Sequence, residues 1–413
     1  MKTHDENKIN PINYLLLAGV AIYYLCGFLW IDPIIERQIW DERDFHLPTI
    51  LQFVNLSFSE AVKDYQPATF PLYHLIYSFL YKYLSQEKSV LRWVNLGTIF
   101  LTTGLLYYYF SRFKKFDRNT VIVILVAFLS SPFLRATGFA LVTDHLPFFF
   151  LALSLLAFEY ALVKNSVFLH ILAAVFAFCT FYTRQFYFWV PFYFFFRSIV
   201  EIRSFREQTV YFLFNVILTV PALYLLYIWK GLVPPLAQSL HQHTSLLLTL
   251  PFGLVMFPLY FYPVMLYFGA RKLPRINYPK AGFFLGGGIL YMLLFTALGF
   301  DLHLVKGGLI SKIFLLLPTP FASPAFLLFS YLGALIVIYY CVKNFKKNYF
   351  LLLILLVLSL SLIFFQRYAD PVLFMAILMF YDNRASGEFV FSPYLYFFIV
   401  TEILLYIGSI LYY

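Results

Sequence analysis

Long apolar runs separated by short polar segments follow one another along almost the whole chain. The runs extend over about 15 to 22 residues without the alternation of apolar and polar positions that a membrane β-strand shows, so they predict membrane-spanning α-helices. The pattern predicts about 13 spans. Their predicted bounds are 12–31, 92–110, 119–134, 145–163, 167–182, 185–198, 208–229, 247–268, 281–300, 325–342, 348–366, 371–381 and 391–411.

One polar segment is much longer than the others. It follows the first predicted span and runs from residue 32 to about residue 91. It contains a short amphipathic stretch, Thr69–Leu84, which we expect to be a juxtamembrane or re-entrant helix, because a span here would place the basic segment 111–118 on the exoplasmic side. The predicted fold class is therefore an all-α polytopic membrane protein, with residues 1–413 forming one membrane-embedded domain.

Composition strengthens this prediction. Hydrophobic residues make up 62% of the chain and charged residues 12%, with a mean hydropathy of +0.78, whereas about a quarter of a soluble domain is charged. The net charge of +10 lies in clusters between apolar runs, at 111–118, 271–280 and 343–347, which is typical of cytoplasmic loops and not of a nucleic-acid surface. The partner that we expect is the lipid bilayer, with the segment 32–91 on the exoplasmic side.

Ionisable residues are concentrated where the chain leaves the first predicted span. Asp41, Glu42, Asp44 and His46 lie within a few positions of one another. A solvated loop would contain the same residue types. Alternatively, one carboxylate acts as a general base on a sugar hydroxyl, and His46 orients it or binds a phosphate. The three acids are therefore candidate catalytic residues and His46 is a candidate substrate-binding residue.

A series of short motifs links this segment to the rest of the chain. In chain order they are IWDERDFHLP (39–48), TFPLY (69–73), VLRWVNL (90–96), VTD (142–144), TRQFYFWV (183–190), WKG (229–231) and FFQRYADPVLFMAILMFY (364–381). Their types and order resemble the dolichyl-phosphate-glucose-dependent α-1,2-glucosyltransferases, a family of the GT-C superfamily of membrane glycosyltransferases. No single motif is specific. The resemblance depends on the shared order of the motifs over nearly the whole chain.

This resemblance implies a GT-C-like helical bundle with its active site on the exoplasmic side of the endoplasmic reticulum membrane or the bacterial inner membrane. It implies transfer of a sugar, glucose in that family, from a polyprenyl or dolichyl phosphate to a lipid-linked oligosaccharide or another glycan, with inversion. The lipid-linked sugar is a co-substrate, and no cofactor or metal is expected. Histidines two positions apart, as in His241 and His243, do not face together on a helix, which argues against a zinc pair.

The chain departs from the family pattern at the first motif. The family places Asp-Glu four and three residues before its His, whereas here Asp41 and Glu42 lie one residue further from His46. An insertion of one residue would restore the pattern. Otherwise Glu42 or Asp44 takes the role of base.

Two later motifs contain further candidates. Asp144, after Thr143, is either an acid stabilised at a helix N-terminus with Thr143 as its cap, or a carboxylate that binds acceptor hydroxyls. Arg184, beside Gln185, and Arg367 are either cations at the exoplasmic ends of spans or contacts to the donor phosphate, whose geometry a guanidinium matches.

Three histidines lie in other predicted exoplasmic loops. His241, His243 and His303 belong either to ordinary surface loops or to the binding site for the sugar phosphate. Two functions compete with the one that the resemblance implies: a bacterial GT-C enzyme that modifies an envelope glycolipid, and a lipid or solute transporter. Transporters tend to place ionisable residues within their spans, whereas here these residues cluster at predicted exoplasmic ends, which favours an interfacial enzyme.

Overall fold

The structure is a computed structural model that describes residues 10–202, 204–240, 248–260, 278–302, 309–343, 345–359 and 395–412. Every regular element in these ranges is a helix, which confirms the all-α prediction. The chain forms two compact units. The first comprises residues up to Leu125 and from Pro132 to Leu240, and the second comprises Val126–Ser131 and the chain from His241.

The helices of the first unit follow one another with short connections along the described chain. They are α1 (Pro11–Leu29), α2 (Pro33–Asp41), a π-helix (Glu42–His46), α3 (Leu47–Asn55), α4 (Phe58–Lys63), α5 (Leu72–Tyr83), α6 (Lys88–Arg112), α7 (Arg118–Leu129, whose end belongs to the second unit), α8 (Pro132–Gly138), α9 (Leu146–Lys164), α10 (Val167–Thr183), α11 (Trp189–Glu201), α12 (Phe205–Trp229) and α13 (Pro235–Leu240). The predicted first loop is therefore mostly helical.

The second unit is also built from apolar helices. The described ones are α14 (Leu248–Tyr260), α15 (Tyr278–Ala297), α16 (Leu309–Leu315), α17 (Thr319–Lys343), α18 (Phe345–Asn348), α19 (Phe350–Ser359) and α20 (Leu395–Tyr412). Side-chain hydroxyls connect them: Tyr291 of α15 and Ser330 of α17 lie 2.6 Å apart, oxygen to oxygen.

Five of the described helices are long and apolar enough to cross a membrane. They are Pro11–Leu29, Lys88–Arg112, Leu146–Lys164, Phe205–Trp229 and Thr319–Val342. Shorter apolar helices, such as Val167–Thr183, lie between them. The protein is thus a helical membrane protein. The figure of about 13 spans stays a prediction, because several predicted spans extend over residues outside the described ranges.

One predicted span has a different geometry. The run 119–134 was expected to be a continuous helix, but α7 and α8 meet at a bend of 71° after Leu129. Pro132 explains the break, since proline donates no backbone hydrogen bond and disfavours a helical conformation in the preceding residue, Ser131. The expected helix within Thr69–Leu84 is present as α5, with 12 residues.

A buried ion pair fixes the start of the first loop. Asp32 caps α2 by accepting hydrogen bonds from the backbone N–H groups of Ile34 and Ile35, at 3.0 Å each. Its other carboxylate oxygen accepts from Arg135 of α8 at 2.5 Å, and both side chains are fully buried. Arg135 Nε also donates to the carbonyl oxygen of Tyr23 at 2.9 Å. This arrangement holds the segment that contains Asp41 to His46 against α1 and α8.

Four consecutive helices, α9 to α12, bring distant residues to two common ends. α9 and α10 pack along each other, with Ser154 Oγ donating to the Ala173 carbonyl oxygen at 2.8 Å. Because the connections at 165–166 and 202–204 are short, successive helices run in opposite directions. The start of α9, the end of α10 and the end of α12 therefore meet at one end, which we call the motif end. The opposite end, where α9 and α11 finish, is the far end.

Candidate functional site

Glu42 connects the π-helix to two other parts of the first unit. Its carboxylate is buried and accepts two hydrogen bonds from the guanidinium of Arg92 in α6, at 2.9 and 2.7 Å. The backbone N–H of Leu141 donates a third at 2.8 Å. Paired charge-assisted hydrogen bonds of this kind fix geometry strongly. Glu42 thus holds the first motif against α6 and against the segment that leads to Asp144.

The other two acids of the first motif differ in their surroundings. Asp44 is exposed and forms an ion pair with its neighbour Arg43 at 2.7 Å. The hydrogen bond from Arg43 lowers the pKa of the Asp44 carboxyl. Asp41 is half-buried and lies at the last position of α2, directly before Glu42.

The π-helix accounts for the departure from the family spacing. Its closing hydrogen bond runs from the N–H of Leu47 to the carbonyl of Glu42, five residues earlier. An α-helix joins residues four apart, so a π-helical turn accommodates one additional residue. Asp41 and His46 thereby hold the relation that residues four apart have in an α-helix. The π-helix is where a one-residue insertion would lie, and π-helical turns are frequent at functional sites.

His46 belongs to a buried chain of hydrogen bonds. Its Nδ1 lies 2.9 Å from Nε2 of His74, and Nδ1 of His74 lies 2.7 Å from the hydroxyl oxygen of Tyr65. Burial, reinforced by the neighbouring His46, holds the pKa of His74 well below its ordinary value. His74 is therefore neutral at neutral pH, so one of its nitrogens donates and the other accepts. The tautomer of His46 is coupled to that of His74.

Aromatic packing supports this chain of hydrogen bonds at Tyr65. The ring of Tyr65 stacks on Trp229 at the end of α12, with centroids 5.7 Å apart, and Phe70 stacks on the same indole at 5.6 Å. The indole N–H of Trp229 donates to the carbonyl oxygen of Val62 at 3.1 Å. The end of α12 is in this way fixed against α4 and against the segment that connects α4 to α5.

Asp144 and Arg184 form an ion pair between the start of α9 and the end of α10. Arg184 also donates to the hydroxyl of Thr143 at 3.5 Å. The expectation that Thr143 caps the helix is wrong, because the residue at the cap position is His145, which makes no side-chain capping bond. Arg184, expected as a phosphate contact or as a cation at the end of a span, has a carboxylate partner within the chain.

Tyr73 lies between the first motif and the segment around Asp144. Its ring lies edge-on to His46 at 6.1 Å between centroids, and edge-on to His145 at 6.2 Å. It stacks on Tyr77 at 4.2 Å, and the hydroxyl of Tyr77 hydrogen-bonds Asn95. The first motif and the segment around Asp144 therefore both contact the ring of Tyr73.

The structure brings together most of the candidates that it describes. Glu42, His46, Asp144 and Arg184 belong to one connected cluster, Asp41 and Gln185 adjoin it in sequence, and Asp44 lies exposed beside it. The remaining candidates, His241, His243, His303 and Arg367, lie outside the described residues. Sequence reasoning assigned no role to four members of the cluster: Arg92, Tyr65, His74 and His145.

The sequence held a signal for two of those four. Arg92 lies inside the VLRWVNL motif and His145 directly follows VTD, so both were next to positions already selected. Among the described residues no group of three or more His, Cys, Asp or Glu side chains could hold a metal ion. No protein-family model, no curated protein and no solved structure matches the chain.

Proposed function

We propose that the protein is a membrane glycosyltransferase of GT-C type, which transfers a sugar from a polyprenyl-phosphate donor to a glycan hydroxyl with inversion. One observation carries the proposal. Six of the motif segments, spread between residues 39 and 231, meet in one cluster in the first unit. The segments were selected by type and order alone, so their contact in space is independent support.

The contacts that join these segments are specific. Glu42 of the first motif pairs with Arg92 of VLRWVNL. Phe70 of TFPLY stacks on Trp229 of WKG, and its neighbour Tyr73 contacts His46. The VTD and TRQ segments are joined by the ion pair that Asp144 and Arg184 form, as described above. A set of unrelated loop segments would have no reason to converge in this way.

Asp41 is the acid that best fits the role of base. Both oxygens of Glu42 already accept hydrogen bonds from Arg92 and Leu141, so this carboxylate holds segments of the chain together. Asp44 is exposed and paired with its neighbour. Asp41 lies where the π-helix begins, one residue further from His46 than the family spacing, and the π-helical turn accommodates that residue.

The reaction that we propose breaks one bond and forms one. The acceptor hydroxyl oxygen attacks the anomeric carbon while its proton passes to the carboxylate of Asp41. The bond from that carbon to the phosphate oxygen breaks, and its electron pair leaves with the polyprenyl phosphate. Cations stabilise that charge in such a transition state. The candidate contacts to this phosphate that the sequence predicts are Arg184 and Arg367.

The test is a transfer assay with the purified full chain in lipid nanodiscs. The donors are polyprenyl-phosphate glucose and polyprenyl-phosphate mannose, and UDP-glucose is the nucleotide-sugar control. The proposal expects polyprenyl phosphate to be released together with a glycosylated acceptor from one lipid donor, and no transfer from UDP-glucose. Absence of transfer from every polyprenyl-phosphate sugar, with lipid-linked oligosaccharide and simpler glycolipids as acceptors, contradicts it.

A second candidate function is transport of a lipid or a solute. The break between α7 and α8 favours it, because transporters often contain interrupted spans. Proteoliposomes distinguish the two functions. A transporter moves the labelled polyprenyl-phosphate sugar between leaflets and leaves it intact, whereas the proposed enzyme consumes it in the presence of an acceptor.

A further inference from the structure

His145 is a buried histidine whose hydrogen-bonding capacity is not used by the described chain. The side chain is 1% exposed, and neither ring nitrogen has a hydrogen-bond partner among the described residues. Leaving a buried donor and a buried acceptor unpaired is costly, so such groups in native proteins call for an explanation. A bound molecule that pairs with both nitrogens is one.

A second unused group belongs to the residue that follows Arg184. The side-chain nitrogen of Gln185 is also buried and without a partner among the described residues. Gln185 directly follows Arg184, and His145 directly follows Asp144. The residues that carry these unpartnered groups, His145 and Gln185, therefore each directly follow one member of the Asp144–Arg184 ion pair.

The charges of these groups indicate what they could bind. The ion pair has no net charge, Gln185 is uncharged, and burial lowers the pKa of His145 to about 4 although Asp144 acts in the opposite direction. At neutral pH the group thus lacks the surplus positive charge that holds a phosphate. A neutral imidazole and a carboxamide each offer both a donor and an acceptor. Hydroxyl groups do the same, so a polyol matches the group better than an anion does.

We propose that His145 and Gln185, beside the Asp144–Arg184 ion pair, bind the hydroxyl groups of an uncharged sugar ring. The inference rests on the proposed function and refines it, because it assigns the end of α10 to the sugar half of the donor. The sequence left Arg184 as either a cation at the end of a span or a contact to the donor phosphate, and the inference assigns it instead to the surroundings of the sugar. The phosphate half then lies elsewhere in the site.

The chain supplies a matched control at the far end of the same helices. His170, at the start of α10, is also buried and also makes no hydrogen bond among the described residues. Its Nδ1 lies 3.8 Å from the carboxylate of Glu207, so it faces an acid and not the motif segments. Replacing either histidine by phenylalanine removes one imidazole from a buried position in the same pair of helices.

The experiment measures binding of two probes to the full chain in nanodiscs. Hexyl β-D-glucopyranoside carries the sugar without charge, and hexyl phosphate carries the anion without sugar. Calorimetry gives the dissociation constants for wild type, His145→Phe, Gln185→Met and His170→Phe. We expect His145→Phe and Gln185→Met each to weaken glucoside binding about tenfold or more, as the loss of a buried hydrogen bond does, and to leave phosphate binding unchanged. His170→Phe should change neither.

The result that overturns the inference is a loss of phosphate binding with glucoside binding intact, or no change for either probe. His145→Gln keeps a donor and an acceptor, so it should recover part of the glucoside affinity. A drop in melting temperature for His145→Phe without a change in glucoside binding would mean that the ring is held by another part of the chain, and would also overturn it.

Binding is measured without turnover, so the two proposals fail separately. Glucoside binding that depends on His145 in a protein that transfers no sugar would remove the proposed enzymatic function and retain the sugar site. Sugar transfer by a protein whose glucoside affinity does not depend on His145 would support the enzymatic function and remove the sugar site.

Discussion

Both ends of helices α9 to α12 contain ion pairs, but the polar groups around these pairs differ. At the far end, Arg197 of α11 donates to Glu159 of α9 and to Glu201 one turn away, at 2.8 Å each. Its guanidinium also lies 4.8 Å from the centroid of the Phe158 ring. This cation thus has two carboxylates and an aromatic face, an arrangement that connects helices.

At the motif end, the polar groups do not satisfy one another in this way. Arg184 pairs with Asp144, while His145 and Gln185 beside it retain unused hydrogen-bonding groups among the described residues. The first motif, with Glu42 held by Arg92, packs against the same end. The Arg197 cluster at the far end therefore has the contacts of a structural connection between helices, whereas the residues beside Arg184 leave polar groups available to a ligand. His170 at the far end also makes no hydrogen bond among the described residues, but it lies outside the Arg197 ion pairs.

The largest effect on stability is expected at the far end. Arg197→Ala leaves Glu159 and Glu201 without their cation, and losing hydrogen bonds to a charged group costs about 1.5–3 kcal/mol. Thermal unfolding in detergent should show this loss, while the folded fraction retains wild-type affinity for hexyl glucoside. A melting temperature equal to that of the wild type would contradict a structural role for the Arg197 ion pairs.

A smaller and different effect is expected at the motif end. Arg184→Lys keeps the positive charge and loses the planar guanidinium, so we expect transfer to fall about 10- to 100-fold with a small change in melting temperature. The exposed pair offers a control, since Arg43→Lys beside Asp44 should transfer at the wild-type rate. Equal rates for both variants would mean that the geometry of Arg184 does not matter to the reaction.

The motif end should also be sensitive to acid. The pKa of His74 in the folded protein is below its ordinary value of 6.5, so below that pH the unfolded chain binds more protons than the folded one. Stability is then fully present above pH 6.5 and falls as the pH decreases below it, by at most about 1.4 kcal/mol per pH unit for one histidine. His74→Phe should reduce this slope. An unchanged slope of stability against pH would show that His74 is not responsible.

The smallest effect is expected for the exposed acid. Asp44 pairs only with a neighbour that is itself exposed among the contacts described, and such pairs contribute about 0–1 kcal/mol. Asp44→Asn should therefore leave both the melting temperature and the transfer rate close to wild type. A hundredfold loss of transfer would identify Asp44 as the base in place of Asp41.

Much of the fold could be predicted from the sequence because continuous apolar runs determine it. The predicted spans 145–163 and 208–229 lie within a few residues of α9 and α12. The break between α7 and α8 was missed, since the apolar run continues through Pro132 and only the local backbone constraint interrupts the helix.

Individual residues of the site could be predicted from the sequence, but the contacts between them could not. Asp144 and Arg184 were both candidates, yet their ion pair follows from the antiparallel packing of α9 and α10, which no motif states. The π-helix left only an indirect sign, the extra residue between Asp41 and His46. The roles of Tyr65 and His74 depend on contacts between segments, so composition and spacing did not reveal them.

The most direct test of the account is the transfer rate of Asp41→Asn against that of Glu36→Gln, an exposed acid on the same helix, α2. Both proteins are purified in nanodiscs with their melting temperatures checked, and release of polyprenyl phosphate from the lipid-linked donor is followed. Loss of a general base lowers a rate about 10²- to 10⁴-fold, which we expect for Asp41→Asn, with Glu36→Gln at the wild-type rate. Equal rates for the two variants would contradict the assignment of Asp41 and, if Asp144→Asn alone abolished transfer, would move the base to the start of α9.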